Sequence, residues 1–283
     1  MNTPLINAAD SFLTMIDNKY YCIDAHCHVF PEKVVDKAVG AIGAFYHIPM
    51  EHRGTPENLV IAGDQAGIDH FVIHSVATKP QQVSSANQYL AKVVSEHPGR
   101  MTGLGTIHPL SDDMERDINE LVSLGLHGIK IHPDMQDFAL DCDGFMAAYE
   151  ICQAKGLPVL AHTGDDRADR TNPNRVEHVL KSFPHLTFVG AHFGGYTVWD
   201  EAANILPKYD NIFVDTSSTL FWKGADGMRE YIKAYGIDRC MFGTDFPMHR
   251  AGMEIKALNY LGFTEEEYVK LYSENARKIY SIK

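Results

Sequence analysis

His26 and His28 flank a cysteine in the stretch DAHCH, at the end of an apolar run. Alternate residues of a β-strand share a face, so the two imidazoles point one way and Cys27 the other. Such a pair can hold a divalent cation, but an isolated HxH also arises by chance and can be satisfied by core hydrogen bonds. The stronger signal is spread along the chain. His162 ends VLAH, His192 ends VGAH, Asp245 follows MFGT and Lys130 lies inside GIKIHP. Each interrupts an apolar run at or near its end. Imidazole and carboxylate are donors that a borderline ion such as Zn2+ favours. His132 lies two residues beyond Lys130, on the same strand face, and is expected either to touch substrate or to cap the strand end. Arg167, in the loop after VLAHTG, is a candidate clamp for a substrate carboxylate; Arg170, Arg175 and Arg250 read as surface pairs. His74 and His108, on the second and third runs, read as structural or substrate-contacting rather than as metal ligands.

These residues need a frame that gathers them. Eight short runs rich in Val, Ile and Phe recur from residues 20, 69, 101, 126, 157, 186, 211 and 239, with helical patterns between them. That alternation predicts βα units around a parallel sheet, and eight strands close a (β/α)8 barrel, whose active sites form at the C-terminal rim of the strands. The stretch SSANQYLAKVVSEHPG carries a serine cap, an apolar face of helical period and a glycine stop, and DMERDINELVSLG repeats that grammar. TEEEYVKLYSENARKIYSI predicts a long amphipathic helix against the barrel wall. Residues 1–20 read as an N-terminal extension and 30–68 as an insertion near the mouth, within one domain spanning 1–283.

Composition narrows the function classes. The chain has 283 residues, 45% hydrophobic and 22% charged, which is ordinary for a globular enzyme. A formal net charge of −12 without a basic run argues against nucleic acid or anionic membrane as partner. The five cysteines show no CxxC spacing and read as reduced thiols, and no apolar run approaches the length of a membrane span. A cytoplasmic enzyme with a small-molecule substrate is expected, with self-association left open.

DAHCH, GIKIHP, AHTG, GAHFGG and GTDFP, in that order, resemble the amidohydrolase superfamily, specifically the amidohydrolase-related family that includes aminocarboxymuconate-semialdehyde decarboxylase-like enzymes. The resemblance runs from about Asp24 to the closing ENARKIY. It implies that His26, His28 and Asp245 bind the more buried ion and that His162 is a further ligand. It also implies that Lys130, if carboxylated, bridges two ions, with His192 on the second. In one-metal members the strand-six histidine instead positions water or substrate. The cofactor expected is one or two divalent ions, zinc by preference. Asp245 is the expected proton shuttle, and His192 the expected stabiliser of developing charge. The leading expectation is hydrolysis of an amide, lactone or ester by metal-activated water. The alternative is a carboxy-lyase acting on an unsaturated or aromatic acid.

Overall fold

Strands buried on both faces read as largely apolar runs, and the eight runs of this chain do so apart from a few polar residues. In the computed structural model, which describes residues 19–283, they form β1 (Ile23–His28), β2 (His70–His74), β3 (Met101–Thr106), β4 (Ile129–Ile131), β5 (Val159–Ala161), β6 (Phe188–Gly190), β7 (Ile212–Asp215) and β8 (Cys240–Met241). All pair in parallel, in chain order. The ring closes between β1 and the segment from β8 onward: Ala25 N donates to Phe242 O at 2.9 Å, His28 N to Phe246 O at 2.7 Å, and Asp245 N to His26 O at 3.0 Å. This is the expected (β/α)8 barrel, in a single domain. Most of the expected N-terminal extension, residues 1–18, lies outside the described residues.

Two apolar layers hold the frame. Ile23, Ala25, Val72, Leu104, Leu160, Val189 and Met241 fill the barrel, while a larger cluster packs between the strands and the surrounding helices. The register of β1 against β2 slips between Asp24 and Cys27. That extra residue changes which side chains face inward. Ile23 and Ala25 belong to the barrel interior and Cys27 to the outer layer, so the bulge turns His26 and His28 inward one residue out of phase.

The helices follow the sequence pattern, with two differences. The helix Val83–Glu96 begins before the expected serine cap, because a 3-10 turn at Pro80–Gln82 leads into it. Ser84 is left free to donate to Glu120 Oε1 across to the next helix, at 2.6 Å. The closing segment runs as Glu265–Val269, a π-helical stretch Lys270–Glu274, and Asn275–Tyr280. Its first half packs on the wall as expected, through Tyr268, Leu271 and Tyr272. Its end instead plugs the barrel with Ala276, Ile279, Tyr280 and Ile282. Leu271 O accepts from Phe242 N at 2.9 Å, which ties the π stretch to the strand leading to Asp245. The insertion folds into the helices Val35–Tyr46 and Pro56–Ala66, the second capped by Thr55. Among the described residues, no helix is long and apolar enough to cross a membrane.

Candidate metal centre and pocket

β1 presents His26 and His28, and the turn after β8 presents Asp245 in the left-handed region, φ 62°. Aspartate tolerates that conformation better than most residues. His26 Nε2 and His28 Nε2 lie 3.3 Å apart, and each is 3.3 Å from Asp245 Oδ1. Donors sharing one ion at about 2.0–2.2 Å stand roughly 3–3.5 Å from one another, so this trio fits a single divalent cation. His192 also belongs here, offering a ligand atom within 4.8 Å of those of His26 and Asp245. Lys130, wholly buried in β4, places Nζ 3.1 Å from His26 Nε2.

Hydrogen bonds around the trio fix which nitrogen faces inward. His26 Nδ1 donates to Asp215 Oδ2 at 2.8 Å, leaving Nε2 as the lone-pair atom. Asp215 therefore orients His26. It also accepts from the backbone N of His192 at 3.0 Å and from the Ser217 hydroxyl. His192 Nδ1 meets Ser217 O at 3.1 Å and so carries the proton, which leaves Nε2 as the acceptor. Burial lowers the pKa of His26 to about 4, reinforced by Lys130, and keeps the imidazole in its ligand form. Burial alone would raise the carboxyls of Asp215 and Asp245. The surrounding histidines outweigh it, and both remain well below the usual range. Burial also draws Lys130 down to about 8.

His162 lies one step outside the trio. Its Nδ1 is 3.1 Å from His192 Nε2, and its Nε2 is 3.2 Å from the hydroxyl of Tyr46. His132 stacks on it, rings 4.1 Å apart and 6° from parallel, and its Nε2 meets the same hydroxyl at 2.8 Å. Of the two sequence readings of His132, the structure shows the cap: its Nδ1 accepts from Met135 N in the short helix Pro133–Gln136. A small cavity, lined by His28, Ile42, Tyr46, His132, Met135, His162, His192, Tyr196, Asp245 and Met248, opens over the centre.

The structure does not bring Arg167 into that lining. Its Nε and Nη2 pair with Asp165 at 2.8 and 2.6 Å, and its Nη1 donates to Phe45 O at 2.6 Å. A guanidinium so engaged holds the helix Val35–Tyr46 over the mouth. Arg170, Arg175 and Arg250 form surface pairs with Asp137, Asp141 and Glu51. Tyr46, Ser217, Ser218 and Asp134 have functional positions that the sequence reading missed. Tyr46 comes from an insertion with no strand-end pattern, and the others gave only turn-like signals. Ser218 Oγ donates to Asp245 Oδ2 at 2.6 Å, and Thr171 Oγ1 donates to Asp134 Oδ2 at 2.8 Å.

A (β/α)8 barrel with histidines and an aspartate converging beyond the C-terminal ends of its strands is a frame that could hold a divalent cation. The amidohydrolase family model matches residues 23–282, and the chain belongs to that family. It is 29% identical to a 2-amino-3-carboxymuconate-6-semialdehyde decarboxylase from Dictyostelium discoideum over 163 residues, covering 51% of this chain and 43% of that relative. The chain thus matches less than half the length of that relative. Among solved structures, it resembles a 5-carboxyvanillate decarboxylase from Novosphingobium aromaticivorans in complex with manganese (TM-score 0.74, 18% identity, 95% of this chain and 98% of that one). It also resembles a 2,6-dihydroxybenzoate decarboxylase from Rhizobium (TM-score 0.69, 16% identity, 93% and 99%). At such identities the structural likeness speaks for the fold. The curated relative and both of these solved structures are decarboxylases, which overturns the expectation of a hydrolase. The physical reason is that the motifs report the ligand frame common to both reactions and carry no information on which bond breaks.

Proposed function

We propose that this chain is a carboxy-lyase dependent on a divalent metal, acting on a small unsaturated or aromatic carboxylic acid. The observation that carries the reading is the His26, His28 and Asp245 trio facing a cavity walled by Ile42, Met135, Met248, Tyr46 and Tyr196. Aromatic and thioether walls suit a flat, apolar ring or diene. The decarboxylase relatives support the same reading.

One ion is assigned, held by His26, His28 and Asp245, with His192 and Lys130 beside it. The neighbouring cluster of His132, Asp134 and His162 is a poor second site, since near-parallel rings aim their in-plane lone pairs side by side instead of at one point. When bound, the ion supplies Lewis acidity toward the substrate's oxygen atoms. The chain does the rest. Asp245 and His192 Nε2 are the groups that hold a proton and deliver it to the substrate carbon. The bond from that carbon to the carboxylate then breaks, its electron pair stays on the carbon and carbon dioxide leaves. Tyr46 and His132 position the substrate at the mouth. Zinc is favoured by the donor set and manganese by the relatives. Cys27, Cys142, Cys152 and Cys240 form no disulfide among the described residues, which favours a reducing compartment such as the cytoplasm. The test is carbon dioxide release across a panel of aromatic and dienoic acids, before and after chelation. Release that chelator abolishes and one equivalent of metal restores is the expected outcome. Metal-free turnover, or no release from any acid, would defeat the reading.

A further inference from the structure

We propose that His74 is a further ligand of this metal centre, giving one imidazole nitrogen to the ion held beside His26 and His28. The inference rests on the metal-centre reading above and extends it to a strand not yet assigned a role. His74 ends β2 directly beside His28, its register partner on β1. Its ring is wholly buried and meets the rings of His28 and His26 edge-on, at 4.4 and 4.8 Å between centroids. One ligand atom from each of His26, His28 and His74 lies within 4.8 Å of the other two. Donors on opposite sides of an ion stand about 4.2 Å apart, so a small ring rotation brings the three within reach of one cation.

Hydrogen bonding singles out His74 from its neighbours. Among the described residues, it is the histidine whose two ring nitrogens are both buried without a partner. His70 shows what the fold does with a structural histidine on the same strand. Its Nδ1 meets Gly99 O at 3.1 Å and its Nε2 meets the Thr102 hydroxyl at 2.9 Å. His26 and His192 are likewise anchored through Nδ1. A buried imidazole with neither its donor nor its acceptor satisfied is costly unless its function is to bind something. Contact of an N–H with a neighbouring ring face is too weak to account for it, and leaves the lone-pair nitrogen unmet.

The test compares full-length parent, His74→Leu and His74→Asn, stripped with chelator and titrated with Mn2+ alone. Binding is read from loss of the free-ion paramagnetic resonance signal, and thermal unfolding of each metal-free protein is recorded alongside. Leucine keeps the bulk but removes both nitrogens, and asparagine guards against misfolding of the apolar variant. The expected result is a Kd raised about 10- to 100-fold in both variants, with metal-free His74→Leu unfolding at or above the parent's temperature because an unpaired polar ring is gone. Affinity within twofold of the parent in both folded variants overturns the role of His74 and leaves the functional reading intact. A parent that binds no Mn2+ overturns both.

Discussion

Asp245 is asked to do two things that one carboxylate can combine. Its Oδ1 is equidistant from two imidazole nitrogens, and its Oδ2 accepts from Ser218, whose hydroxyl in turn meets His249 Nε2 at 3.1 Å. The neighbouring histidines keep it ionised despite burial, so near neutrality it stands as the carboxylate, able to bind a cation and to relay a proton transiently. Asparagine has nearly the same shape but neither the charge nor the basicity. Asp245→Asn is therefore expected to lower turnover by about 10²- to 10⁴-fold while circular dichroism stays at the parent's level. Turnover within threefold of the parent would remove Asp245 from the proton-handling role.

At the scale of elements, the ligand frame was legible in the sequence because strands obey a period of two and ligands break apolar runs. His162, His192 and Asp245 could be placed at strand ends from VLAH, VGAH and MFGT alone. The left-handed backbone at His192, Phe193 and Asp245, and the bulge in β1, could not, because they depend on contacts between strands. Nor could the placing of Tyr46, since nothing in AFYHIP says where its helix will lie. Arg167 fixes that helix by donating to the carbonyl of Phe45 at its C-terminal end while lying over the Phe45 ring, 4.8 Å from its centroid. Cutting that tie should loosen the mouth but spare the metal. Arg167→Ala is expected to speed amide exchange across residues 35–54 and raise KM several-fold, with metal affinity unchanged. Unchanged exchange would show that the helix is held by packing alone.

On the scale of the whole molecule, the centre's donors are part of a larger set of buried titratable groups. Among the described residues, ten histidines have pKa values lowered, with burial the largest cause in each. A histidine whose folded pKa lies below its unfolded value of about 6.5 contributes stability above that pH and loses it as pH falls toward the folded value. Asp24 and Asp134, raised by burial to about 6, and Glu254, raised well above its usual range, act in the opposite sense. They bind protons more readily when folded, so their contribution grows as pH falls. Ten groups against three leaves the histidines dominant. Metal-free protein is therefore expected to lose at least about 2 kcal/mol of unfolding free energy between pH 7 and pH 5, and little between pH 7 and pH 8. Adding the ion should steepen that loss, because protons compete with it for His26 and His28. Urea unfolding at the three pH values, with and without metal, checks this. A flat profile in the metal-free protein would mean that these imidazoles are hydrated enough to titrate as in the unfolded chain, and that the barrel mouth is far more open than its packing shows.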